Sequence, residues 1–205
     1  MITKKVIYYD EANGFEYVYE PIEDTIRIVE TENGYRVLYM AMNEYCNYED
    51  FFDDDELFVV HFHRQCWVTK DEIITEEELK GWYQGEKIEA EKDYWIFPLT
   101  AYIHSGVRLY LGEHFNPSGQ GYGWFDTSHV GAVLVSKRIA KQRKQALGYA
   151  EKHVKCVNLY LEGQTFIIVE EKYTKDKTKI DYDSYYGYLG YDDTLKELER
   201  QIREV

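Results

Sequence analysis

Short β-branched and aromatic runs fill the first third of the chain. Lys5 to Tyr9, Phe15 to Tyr19, Thr25 to Val29 and Tyr35 to Met40 each have strand length. Asn13-Gly14 and Asn33-Gly34 punctuate them. Asn-Gly predicts a hairpin turn, because both residues tolerate positive φ. Leu57 to Trp67 reads as a further strand. A short helix is expected next, since Thr75 and Glu78 form a T-x-x-E capping box ahead of Leu79, Trp82 and Tyr83. Tyr94 to Val107 is one apolar, β-rich run that continues to Leu111.

The second half is read in the same way. Val130 to Val135 is almost wholly apolar, as expected of a strand covered on both faces. Ser136 is placed to cap a helix beginning at Lys137. Leu147, Ala150, Val154, Val157 and Leu161 recur at three- and four-residue spacing, carrying that helix to about Leu161 before Gly163. Thr165 to Lys172 and Lys179 to Tyr185 resemble a hairpin, and Thr194 to Glu204 a closing helix with Leu195, Leu198 and Ile202 on one face. Strands and helices do not alternate regularly. The expected class is α+β, mostly antiparallel sheet with two to three helices. The expected division is a β-rich acidic part, 1–93, and an α+β core, 94–205.

Charge changes this picture by its placement. The net charge is −14, and residues 1–60 hold 15 Asp/Glu against 4 Lys/Arg, while the remaining residues hold 23 against 20. A strongly acidic protein repels phosphate, so direct DNA binding is not expected. The 21 tyrosines argue for a folded chain and suit an interface, where the ring buries area and the hydroxyl keeps a polar contact. Cys46, Cys66 and Cys156 are scattered and odd in number, which predicts neither a disulfide framework nor a zinc knuckle. No leader or membrane-length apolar run is read, so a cytoplasmic location is expected.

Five constellations could carry chemistry. His61 and His63 would share one face of a strand, with Cys66 on the other, so a metal site lacks ligands there. The pairs His104-Ser105 and Ser128-His129 with Asp126 would supply base, nucleophile and orienting acid if they converge, as in a small hydrolase or nuclease using His104, Asp126 and His129. No nucleophile elbow accompanies them, and Asp126-Thr127-Ser128 also reads as ordinary turn chemistry. Gly119 to Gly123 lacks the Lys-Ser/Thr of a phosphate loop. Lys137, Arg138, Lys141, Arg143, Lys144, Lys152 and Lys155 make 137–155 basic, either as a solvated helix face or as a direct nucleic-acid binder.

The fifth is acidic. Glu44, Glu49, Asp50, Asp53, Asp54, Asp55 and Glu56 are interleaved with aromatics. The EF-hand pattern of alternating ligands around a glycine is missing, so no calcium site is expected, and no cofactor. Such carboxylates could compete with phosphates for the Lys/Arg cleft of a nucleic-acid-binding protein.

From Pro98 onward the chain resembles a family of accessory proteins of phages and mobile elements of Gram-positive bacteria. The resemblance rests on Pro98 to Gly106, on Trp124 to Gly131 leading into Val133 to Lys137, and on Ile180 to Gly190. Phe125, His129 and Tyr185-Tyr186 depart from the family's pattern. The resemblance implies no catalytic residue. It implies a context in which small acidic proteins inhibit host defences. The expected function is therefore anti-CRISPR or antirestriction activity. The seven acids would contact a protein partner such as a host nuclease.

Overall fold

The computed structural model describes residues 6–10, 15–52, 56–61, 73–103, 106–112 and 127–203. In chain order the elements are β1 (Val6–Asp10), β2 (Phe15–Tyr19), β3 (Arg27–Thr31), β4 (Gly34–Met42), α1 (Glu49–Phe52), β5 (Leu57–His61), α2 (Glu76–Tyr83), β6 (Tyr94–Ile103), β7 (Val107–Leu111), β8 (Thr127–Ser136), α3 (Arg143–Leu161), β9 (Thr165–Thr174), β10 (Lys179–Leu189) and α4 (Tyr191–Arg203). The strand ladders are antiparallel, and the class is α+β as the patterning predicts. Four α-helices are present among the described residues, where two to three were expected.

The chain divides into two compact units, one of residues 1–50 with 163–205, the other of residues 51–162. The expected border at 93/94 falls inside the second unit. Its cause is a long-range pairing: β4 runs antiparallel to β9 from Gly34↔Thr174 to Met42↔Phe166, so the first strands complete a sheet with the last hairpin.

In the first unit the order is β10-β9-β4-β3. Alternation gives the sheet two apolar faces. Leu38, Met40, Phe166 and Ile168 pack with Leu198 of α4, flanked by Leu195, Ile202 and Tyr191. Val37, Tyr39, Ala41, Ile167 and Val169 point the other way and pack with Tyr19 of β2. Burial on both faces explains the unbroken apolar run in β9. Gly34 is needed here for another reason than its turn. The hairpin between β3 and β4 turns at Glu32 and Asn33, with Thr31 opposite Gly34. Lys177 is the only non-glycine with positive φ among the described residues, so Asn33-Gly34 is no positive-φ turn. A Cβ on Gly34 would lie 1.9 Å from the Tyr173 carbonyl oxygen. Close approach of β9 explains the glycine.

In the second unit the order is β5-β8-β6-β7. The apolar run 130–135 forms its centre, buried as predicted. One face, carrying Phe58, Val60, Ile96, Ala132 and Leu134, is covered by Leu79 and Trp82 of α2. The other is covered by α3, which turns Ala146, Ala150, Val154 and Val157 inward. Two boundaries differ from expectation. The run from Tyr94 to Leu111 folds back on itself, with Ile103 opposite Val107, giving two strands. The helix expected from Lys137, α3, starts at Arg143. Residues 137–140 are tied to the start of β6: the Lys137 amide donates to the Asp93 carbonyl at 2.8 Å, its ammonium to the Glu91 carbonyl at 2.5 Å, and the Trp95 indole to the Ala140 carbonyl at 2.9 Å. The Ser136 hydroxyl accepts from the Arg138 amide at 3.1 Å, closing a turn instead of a helix cap. The capping box of Thr75 and Glu78 forms as predicted. No helix among the described residues is long and apolar enough to cross a membrane.

Candidate functional site

The acidic segment sorts its side chains by polarity. After β4 the chain leaves the first sheet, and Glu44, Glu49 and Asp50 are exposed. Asp50 also closes a local turn, its carboxylate accepting from the Asn47 amide at 2.7 Å. Phe52 is buried, 5% exposed. Its ring meets His153 at 5.3 Å and Tyr160 at 6.2 Å, both edge-on, and Phe51 lies 5.9 Å from Tyr160. These contacts pack Phe51 and Phe52 on α3 with geometry that rings favour. Glu56 is half-buried, and its carbonyl accepts from the Ser136 amide at 2.7 Å where β5 begins. Asp53, Asp54 and Asp55 lie outside the described residues. Glu44, Glu49 and Asp50 belong to the first unit and Glu56 to the second.

Of the hydrolase candidates, His104 and Asp126 lie outside the described residues. His129, exposed on β8, tilts its ring 5.1 Å from that of Tyr83. The Tyr83 hydroxyl donates to the Gly131 carbonyl at 2.5 Å, which commits its proton to the backbone. Glu76, Leu79, Lys80 and Val130 complete an open recess of about 180 Å³. Glu76 and Lys80 are ion-paired at 2.7 Å. Sequence reasoning named His129 but not Tyr83, whose place at the rim follows only once α2 is laid on β8.

His61 ends β5 in the interior, 7% exposed and opposite Gly131. His63 and Cys66 lie outside the described residues. Among the described residues no three His, Cys, Asp or Glu side chains are grouped to hold a metal ion.

The basic stretch divides in two. Lys137 is consumed by carbonyls and by the Trp95 ring, 4.8 Å below its ammonium. Arg138, Lys141, Arg143, Lys144, Lys152 and Lys155 are exposed.

Two buried carboxylates of the first unit escaped the sequence reading. Glu170 and Glu171 are adjacent in β9, so they point to opposite faces. Glu170, 3% exposed, accepts from Arg36 through Nε at 2.6 Å and Nη2 at 2.9 Å. This paired bond holds the Glu170 carboxyl below the usual carboxylate range and raises the Arg36 guanidinium. Glu171, fully buried, accepts from the Tyr173 hydroxyl at 2.6 Å and the Lys179 ammonium at 2.7 Å. Both are structural pairs, remote in sequence from every candidate motif.

No family model, no curated protein and no solved structure matches this chain.

Proposed function

We propose that this protein is an accessory inhibitor of the kind phages and mobile elements carry. In this reading it blocks a host defence system, anti-CRISPR or antirestriction in type, by binding a nuclease or its nucleic-acid cleft. The contact surface is Glu44, Glu49, Asp50, Asp53, Asp54, Asp55 and Glu56.

One observation carries the reading. Glu44, Glu49 and Asp50 are exposed while Phe52, from the same short segment, is buried against His153 and Tyr160. Exposed carboxylates are open to association with a basic partner. Charges at such a surface act chiefly on association rate and its salt dependence. The bias of the first unit adds to it, with 21 Asp/Glu against 11 Lys/Arg.

The test is inhibition of restriction and CRISPR nucleases by the wild type and by a variant with all seven acids changed to Gln or Asn. The variant should inhibit about tenfold more weakly or not at all, with association slowed most at low salt. Unchanged inhibition across every sensitive system would falsify the assignment of this surface, and no inhibition by the wild type would remove the function itself.

A further inference from the structure

Ion pairing in this protein is uneven. Acids outnumber bases 38 to 24, so a surface cation has acids to spare as partners. Most of the described cations elsewhere are taken up, among them Arg36 with Glu170, Lys80 with Glu76, Arg108 with Glu162, Lys172 with Asp181, Lys196 with Asp193 and Arg200 with Glu197. The basic residues of 137–155 form no ion pair among the described residues.

The arrangement on α3 gives these unpaired charges a direction. At about 100° per residue, Lys144, Lys152 and Lys155 fall within roughly an 80° arc, opposite the buried Ala146, Ala150 and Val157. At about 1.5 Å per residue the outer two stand roughly 16 Å apart along the axis. Phosphates follow one another at about 3.4 Å of axis along a duplex strand, so this stripe spans several of them. Gly148 lies within the arc, and a Cβ there would meet nothing within 4 Å, which leaves a notch for a backbone to approach. At the helix start Arg143 is held over the Phe97 ring at 4.8 Å, with Lys141 beside it. The first turn holds no acid, and the N-cap Gln142 makes no side-chain cap.

The other face of the same sheet has the opposite sign. Glu76, Glu77 and Glu78 open α2 there. The second unit is thus polarised across its sheet, and a polyanion repelled by α2 is admitted only on the α3 side.

We propose that the outer face of α3, through Lys144, Lys152 and Lys155 with Lys141 and Arg143 at its start, docks the phosphate backbone of a nucleic acid. This departs from the expectation that an acidic chain avoids DNA, because local potential and not net charge governs a contact within a Debye length of about 8–10 Å. Among the described residues of α3 and its N-cap, Gln142 and Gln145 are the only exposed amides beside the stripe, so binding is to phosphate and not to sequence. The acidic segment plays no part in it.

The full-length protein is titrated against a labelled duplex, with anisotropy as readout, over a series of salt concentrations. Three phosphate contacts give a slope of log K on log salt of about −2.7, or about 40-fold weaker binding at 200 mM than at 50 mM salt. Lys144→Gln, Lys152→Gln and Lys155→Gln together should flatten the slope and weaken binding at least about tenfold. Glu151→Gln, which removes the acid among them, should strengthen binding a few-fold. Circular dichroism confirms that the variants remain folded. Absence of binding at 50 mM salt, or binding indifferent to the triple variant, overturns the proposal. So does sedimentation showing that the triple variant abolishes self-association instead, since the occupant would then be the acidic surface of a second copy. The variant lacking the seven acids should bind the duplex at least as well as the wild type, which separates this surface from the inhibitory one.

Discussion

The side-chain amide of Asn158 gives Leu109 both hydrogen bonds that a further strand would supply. Its Oδ1 accepts from the Leu109 amide at 2.7 Å, and its Nδ2 donates to the Leu109 carbonyl at 2.8 Å. Among the described residues β7 is an edge strand, and an open edge invites pairing with another chain. Leu109 itself is buried, 1% exposed, so its backbone groups depend on this partner. Asn158→Leu should cost about 2 kcal/mol, measured by urea denaturation, and should raise the tendency to aggregate. Asn158→Asp keeps the acceptor and loses the donor, so its cost should be smaller than that of leucine near neutral pH. Equal stability of all three proteins would show that water replaces the amide without loss.

The Arg36–Glu170 pair predicts an acid-sensitive term in stability. Glu170 has a folded-state pKa lowered from 4.5 by the Arg36 hydrogen bonds. Its contribution is therefore complete above the unfolded value, about 4.5, and is lost as pH falls through the lower folded value. Glu197, held low by Arg200, and Glu78, held low by the Thr75 amide and hydroxyl, act in the same direction. Arg36→Met isolates Glu170, because it leaves a buried carboxylate without its partner. That variant should lose about 3 kcal/mol at pH 7 and recover part of it towards pH 5, where protonation relieves the buried charge. Arg36→Met with Glu170→Met should recover most of the loss at pH 7. A flat difference between wild type and Arg36→Met from pH 7 to 5 would exclude a charge effect.

Tyr39 carries a buried hydroxyl with no hydrogen-bond partner among the described residues. Its phenol is pushed well above the ordinary range, first by burial and then by the nearby Glu171 and Tyr173. Tyr39→Phe removes a polar atom that receives nothing in return, so stability should be unchanged or higher by up to about 1 kcal/mol. Tyr173→Phe is the contrast. Its hydroxyl donates to the buried Glu171 at 2.6 Å, and its loss should cost about 1–2 kcal/mol. Urea midpoints of the two variants should therefore move apart; a shared direction would mean that Tyr39 finds a partner in solution.

What the sequence revealed, it revealed through local patterns. Thr75 and Glu78 are three residues apart, and their reciprocal bonds form wherever that helix lies. The stripe of α4 needed only its own spacing to show which side meets a core. The pairing of β4 with β9 joins residues more than a hundred positions apart, and no period in either strand announces the other. The same distance hides Arg36 from Glu170. Residues 137–142 have helical composition, yet Trp95 and Asp93 bind them into a turn, so tertiary contacts override propensity. At the candidate surface the sequence showed which residues are acidic. It did not show that Phe52, within the same stretch, packs on His153 and Tyr160 about a hundred positions on.

Gly131 and Gly148 make opposite predictions for the same substitution. Gly131 sits in β8 opposite His61, and a Cβ there would stand 1.9 Å from the Val60 carbonyl oxygen and 2.7 Å from the His61 Cα. Both are backbone atoms of a paired strand and cannot yield without breaking the ladder. Gly131→Ala should therefore cost more than about 4 kcal/mol or prevent folding. It should also disturb the Tyr83 hydroxyl, which donates to the Gly131 carbonyl. Gly148 lies inside a 19-residue helix with nothing within 4 Å of the added atom. Gly148→Ala removes only the entropy that glycine loses on entering a helix, and should stabilise by about 0.5–1 kcal/mol. Thermal melts of the two variants measure both effects. Gly131→Ala melting like the wild type would mean that β5 and β8 are spaced more widely than this register allows.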